Sequence, residues 1–238
     1  MGKSGTKYDP PRPTAKDIVH SAVRAGVSLV PVVGSPALEF FNSVLAPPVE
    51  KRRQEWMEAV ADGLRQLEAD GRVKLADLSD NEAFVSTVMH ATQAAQRNHQ
   101  QEKLDALRNA VLNSALPGAP DDSLQQMFVG WVDRFTEWHL RLLTFLADPP
   151  GWFRGNGRPV PQFMLASNMS QVLTDAFPAL QAKRSFYDQI IRELIASGLV
   201  GDFTFHAVMS GGGWQASRTT EEGNRFLRFI TAPTIPRV

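Results

Sequence analysis

The sequence predicts a mainly α fold, a helical domain followed by a winged-helix-like α+β module. Three observations predict it. Residues 81–115 contain neither Gly nor Pro, and Phe84, Val88, Ala91, Ala95, Leu104, Leu107, Val111 and Ala115 recur at intervals of three and four, with one polar gap near 98–101. That is the period of a helix with a buried stripe. Residues 124–146 carry Phe128, Trp131, Val132, Phe135, Trp138, Leu142 and Phe145, a stripe so wide and aromatic that it reads as core. Beyond residue 181 the pattern changes to helix, Gly-Leu-Val, two β-rich runs around Ser-Gly-Gly-Gly, and Thr-Thr-Glu-Glu-Gly-Asn-Arg-Phe-Leu.

Composition narrows the functional classes. The chain has 238 residues, of which 43% are hydrophobic, enough for one sizeable core or two small ones. Its 25 basic and 25 acidic residues cancel, so no global field draws in nucleic acid or an anionic membrane. No cysteine is present, which removes disulfides, thiolate metal sites and Cys nucleophiles and agrees with a reducing cytoplasm. No apolar segment is placed to form a signal peptide. The opening Met-Gly-Lys-Ser-Gly-Thr fits the loose myristoylation pattern, but a plain start of translation explains it as well. A cytoplasmic protein with peripheral membrane association is expected.

Taken in order, residues 1–16 form a polar, Pro-rich flexible arm. Residues 17–150 form the helical domain, 151–168 a linker and 169–238 the winged-helix-like module. The uncharged run 25–38 is too short for a bilayer-spanning helix, which needs about 20 residues. Pro31, Gly34 and Pro36 divide it into two short amphipathic pieces. These either pack Leu38, Phe41 and Leu45 on the core or form a membrane-active hairpin. In the second case Val27, Leu29, Val30, Val32 and Val33 are the contact residues, joined by the basic run Lys51, Arg52 and Arg53. A charged helix follows over 49–68, with Trp56, Val60, Leu64 and Leu67 inward and Gly71 as its stop. After a short link at 75–78, Ser79 and Glu82 make a capping box for the central helix. Leu-Pro-Gly-Ala-Pro at 116–120 is a loop, and Asp121, Asp122 and Ser123 offer caps for the aromatic helix over 124–146. Asp148-Pro149-Pro150-Gly151 stops that helix.

Residues 152–161 read as irregular. Two glycines flank Asn156 between Arg154 and Arg158, but Pro159 and Pro161 follow where a phosphate cradle needs a helix start. Short helices are expected over 170–176 and 182–197, the latter burying Phe186, Ile190, Leu194 and Ile195 and stopping at Gly198. Strands are expected over 202–208 and 214–218, then a helix from Thr219 or Thr220 to near Ile230.

The chemistry-bearing residues are sparse. His20, His90, His99, His139 and His206 show no HExxH-type spacing, and His90 and His99 fall on opposite helix faces. His139 is expected as a hydrogen-bonded residue at the core edge. No metal and no cofactor is expected, for no P-loop, dinucleotide fingerprint, GxSxG or carboxylate cluster occurs. Glu102, Lys103, Arg108 and Asn109 are the densest polar group, and Arg108 or Asn109 should meet a buried polar partner. No catalytic residue stands out, so the expectation is a protein that is not an enzyme. A winged-helix DNA reader is the alternative, with Lys183, Arg184, Arg192 and Arg218 as its cations. Asp188 and Glu193 offset them, so nucleic acid is not the expected partner. A hydrolase with an unrecognised site is the third reading.

The apolar N-terminal segment, the helical pair, the opening Asn81-Glu82-Ala83-Phe84, the run F-x-x-W-x-x-x-F-x-x-W-H-L and the closing TTEEGNRFLRFI together resemble bacterial abortive-infection alpha-type proteins over about residues 80–230. The resemblance implies a role in phage defence or stress response, exerted through protein or membrane contacts or self-association. It carries no functional residue across.

Overall fold

The computed structural model describes Phe40, Ser43, Val44 and residues 46–163, 166–210 and 212–233. The chain divides into two compact units, 1–48 and 49–238. The arm 1–16 and the apolar hairpin with Val27, Leu29, Val30, Val32 and Val33 lie outside the described residues. Among the described residues the fold is mainly helical, with ten α-helices and one two-stranded sheet.

Helix α1 spans Ala46–Ala69. It buries Trp56, Val60 and Leu67, the stripe its spacing predicts. Gly71 closes it at φ +69°, a conformation that costs glycine little. Leu75–Leu78 form the single-turn helix α2. Asn81 caps the next helix, its side chain accepting from the Phe84 amide at 3.1 Å. The cap expected at Ser79 is therefore corrected by two residues, since Ser79 donates backwards to the Ala76 carbonyl.

The long central helix is in fact two, α3 (Glu82–Arg97) and α4 (Gln101–Ser114). Asn98 is extended, and its Nδ2 donates back to the Ala94 carbonyl at 2.8 Å. An asparagine that caps the preceding turn competes with helix continuation. The aromatic helix also divides, into α5 (Asp122–Arg134) and α6 (Glu137–Ala147). Thr136 is extended and starts α6, with His139 closing a capping box against it. Both halves stay on one core, and this hides the break in the periodicity.

The aromatic stripe meets a second partner besides the central pair α3 and α4. α5 does pack on α3 and α4. Its rings Phe128 and Trp131, with Phe135 just beyond its end, also meet Phe226 at 5.5, 5.5 and 6.5 Å between centroids. Phe128 also meets Phe229 at 5.5 Å. These come from α10 (Glu221–Ile230). Trp138 and Phe145 instead turn to Phe177.

Residues expected to be irregular begin as a helix. α7 spans Pro149–Gly155, with Asp148 accepting from the Gly151 amide. Two prolines in the first helical turn cost no bond, because those amides lack partners anyway. α8 is Met169–Ala176 and α9 is Arg184–Ala196. α9 buries Tyr187, Ile190, Ile191 and Leu194. Phe186, expected inward, is exposed, because Tyr187 occupies the inward register with Ile190, Ile191 and Leu194.

The strands expected over 202–208 and 214–218 do not form. Instead β1 (Ala166–Ser167) pairs antiparallel with β2 (Met209–Ser210), and residues 213–215 make one 3₁₀ turn. A second antiparallel link, an isolated bridge, joins Val200 to Thr219. The Gly201 amide donates to the Arg218 carbonyl and the Thr220 amide to the Leu199 carbonyl, at 2.9 and 3.0 Å. The chain so returns beside Gly-Leu-Val before α10 begins.

Thr220 caps α10, accepting from the Gly223 amide at 2.9 Å. A Cβ on Gly223 would lie 2.1 Å from the Leu199 carbonyl oxygen. The first turn of α10 therefore rests directly on backbone. Gly223→Ala must push this helix off Leu199, and urea unfolding should show a loss of about 1–3 kcal/mol, the usual cost of overpacking. An unchanged unfolding midpoint would disprove the close seating of α10.

Candidate functional site

The candidate site is the terminal helix α10 and the groove along each of its flanks. Its C-terminal carbonyls are held by α4. Asn113 Nδ2 lies 2.8 Å from the Phe229 carbonyl, 2.8 Å from that of Thr231 and 3.3 Å from that of Arg228. One turn earlier, Asn109 donates to the Ile230 carbonyl at 3.1 Å. The last carbonyls of a helix have no partner within it, so these two amides satisfy groups otherwise left over.

On one flank, the loop 116–121 and α10 enclose a groove of about 510 Å³. Leu116, Pro120, Leu124 and Phe229 supply apolar walls, and Arg225 and Arg228 the charge. On the other flank a groove of about 360 Å³ is lined by Glu102, Asn109, Arg141, Trp152, Leu227 and Ile230, among others. Glu102 pairs with Arg141. That hydrogen bond holds its carboxyl below the usual range. Arg141 also lies over the Trp138 ring.

The polar group singled out in α4 is used to fasten helices. Lys103 is buried, and its Nζ donates to the Asp133 carbonyl at 2.8 Å. Burial lowers its pKa, although the nearby Asp133 carboxylate opposes the shift. Arg108 Nε donates to the Ala59 carbonyl at 2.9 Å. Arg108 and Asn109 thus both meet the polar partner expected for one of them.

The candidate contact cations are dispersed. Lys51 pairs with Glu55 at 3.6 Å and Arg53 with Glu50 at 3.7 Å, all on the surface of α1. Arg52 reaches the Gln96 carbonyl at 3.4 Å. Consecutive helical residues point about 100° apart, so the three do not make one basic face. The DNA-alternative residues are no better assembled. Arg184 lies 3.6 Å from Asp188, and Arg192 donates to Gln189. Arg218 donates to the Gly213 carbonyl at 2.7 Å and lies over the Phe203 ring. Lys183 precedes the first turn of α9.

Two histidines hold carboxylates. His206 Nε2 lies 2.8 Å from Asp188 Oδ1. His139 is buried between α6 and α9, stacked on Phe135 with centroids 4.8 Å apart. Its Nε2 lies 2.9 Å from Glu193 Oε2. Its Nδ1 lies 3.2 Å from the Thr136 amide nitrogen and 2.9 Å from Thr136 Oγ1. The amide can only donate, so Nδ1 accepts and the proton sits on Nε2, facing Glu193. This is a hydroxyl, imidazole and carboxylate in sequence, but the Nδ1 lone pair a base would use is taken by the helix cap. Among the described residues no three His, Asp or Glu side chains converge as metal ligands, and no helix is long and apolar enough to cross a membrane.

The chain matches no protein-family model, no curated protein and no solved structure.

Sequence reasoning missed the grooves because their walls join residues more than a hundred positions apart. Asn113 gave no signal of its own, for it stands two positions from Val111 and so off the face of Leu107, Val111 and Ala115. The buried His139 has a consequence for pH. Burial lowers its pKa from the ordinary 6.5, outweighing the bond to Glu193, which raises it. The unfolded chain therefore takes up the proton first as pH falls below about 6.5. The stability this residue contributes is complete above that point and is lost as pH falls towards its folded pKa. Unfolding measured between about pH 7.5 and 5 should show wild type losing more stability than His139→Gln. Parallel curves would remove His139 from the account.

Proposed function

We propose that the protein is a non-enzymatic bacterial phage-defence or stress-response protein that acts through protein or membrane contacts. The observation that carries this reading is the clamped terminal helix with a groove on each flank. The polar side chains most suggestive of chemistry, Lys103, Arg108, Asn109 and His139, fasten helices to one another. Beside α10 stands a pair of mixed apolar and charged grooves on a pre-formed scaffold, a surface suited to docking. The resemblance to abortive-infection alpha-type proteins supplies the biological setting. The apolar run 25–38 supplies the candidate membrane contact, and self-association is the other mode.

The same reading takes residues 169–238 as a winged-helix-like module. It is supported by the antiparallel return of Thr219 beside Val200 and by the seating of Gly223 on Leu199. The module serves as a packing and docking unit, since Arg218 is engaged within it.

Expression in a bacterial host challenged with a panel of phages tests the setting, and plaque counts should fall relative to an empty vector. Equal counts for every phage would sink it. Gel-shift titration tests the runner-up. With Arg184, Arg192 and Arg218 internally engaged, duplex binding should disappear by physiological salt. Sequence-dependent, submicromolar binding there would promote the DNA-regulator reading.

A further inference from the structure

We propose that the groove between the loop 116–121 and α10 docks a short acidic, leucine-bearing segment of a partner protein. The inference rests on the docking reading above and names the partner chemistry of one groove.

Both walls are pre-formed. Gly118 takes φ +83°, the Ala119 amide donates to the Leu116 carbonyl at 3.1 Å, and Gln125 Nε2 donates to the Pro120 carbonyl at 2.7 Å. The opposite wall is α10, held by Asn113. A rigid groove of about 510 Å³ gives up little entropy when it is filled.

The charge is only partly compensated, and Arg228 supplies the cation that is free among the described residues. Arg225 and Arg228 stand three apart and share a flank of α10. The Arg228 guanidinium has no hydrogen-bond or ion-pair partner among the described residues. Arg225 meets Glu221 and Glu222 of its own helix only at 3.8 and 3.7 Å. Asp121 lines the same groove, but its Oδ1 caps α5 through the Leu124 amide at 3.1 Å. Two guanidinium forks are suited to carboxylates.

The apolar half of the lining decides the kind of anion. Leu116, Pro120, Leu124 and Phe229 offer nothing to a phosphate backbone but accept an aliphatic side chain between two carboxylates. The chain as a whole has no net charge, so it lacks the field that gathers polyanions.

Fluorescence anisotropy on the full chain tests the proposal. The probes are a fluorescein-labelled Glu/Leu peptide, its Lys/Leu counterpart and an oligonucleotide of matched charge. The acidic peptide should bind, the basic one should not, and the oligonucleotide should bind more weakly. Arg225→Glu and Arg228→Glu, both at exposed positions, should each weaken the acidic peptide about tenfold or more without moving the unfolding midpoint. Absence of acidic-peptide binding, equal binding by the variants, or an oligonucleotide that binds as tightly would overturn it. The plaque assay uses none of these probes, so failure here leaves the defence reading to its own test.

Discussion

The structure depends on the seating of one terminal helix. At its start, α10 lies so close to Leu199 that only glycine fits at position 223. At its end, Asn113 and Asn109 hold the carbonyls that a helix cannot satisfy itself. Between these points Phe226 and Phe229 insert among the rings of α5. The rings supply most of the energy, since apolar burial is large and non-directional. The two ends supply position. A helix shifted by one residue would bury the same kind of surface but leave an amide unpaired, at about 1–3 kcal/mol.

Because successive side chains rotate about a helix, α10 offers each flank a different chemistry. Arg225 and Arg228 face the Pro-rich loop, while Leu227, Ile230 and Thr231 face the side of Glu102, Arg141 and Trp152. Neither groove belongs to one contiguous stretch of sequence. Each exists only because α10 lies between α4, α5 and α6, so groove shape and core packing are two aspects of one contact.

Much of the helical content was legible in the sequence, and its interruptions were not. Apolar periodicity reports which face meets the core. It stays silent where the chain breaks and resumes on the same core, as at Asn98 and Thr136. The signals that mark those breaks are local hydrogen bonds, Asn98 to the Ala94 carbonyl and the Thr136–His139 box, and they involve residues that also occur inside helices. Phe186 was misplaced because it and Tyr187 both fit the inward face within one step. The strands over 202–208 and 214–218 were inferred from β-rich composition, whereas pairing requires a neighbour, and β2 found it at Ala166–Ser167. The site was less legible still. Arg218 has the position of a wing cation, yet its guanidinium donates to the Gly213 carbonyl. Arg225 and Arg228 drew no notice in the sequence, because the loop opposite them lies more than a hundred residues away.

The distance along the chain between the two halves of this contact governs how the protein is made. Asn113 and Phe229 are 116 residues apart. A ribosome adding about 5–20 residues per second needs roughly ten seconds to travel from one to the other. Through that interval the aromatic face of α5 has been synthesised and its cover has not. A nascent chain therefore presents Phe128 and Trp131 to whatever hydrophobic surface is nearby. How long this part of the face waits for its cover is thus set by the position of α10 in the chain rather than by the stability of the finished fold.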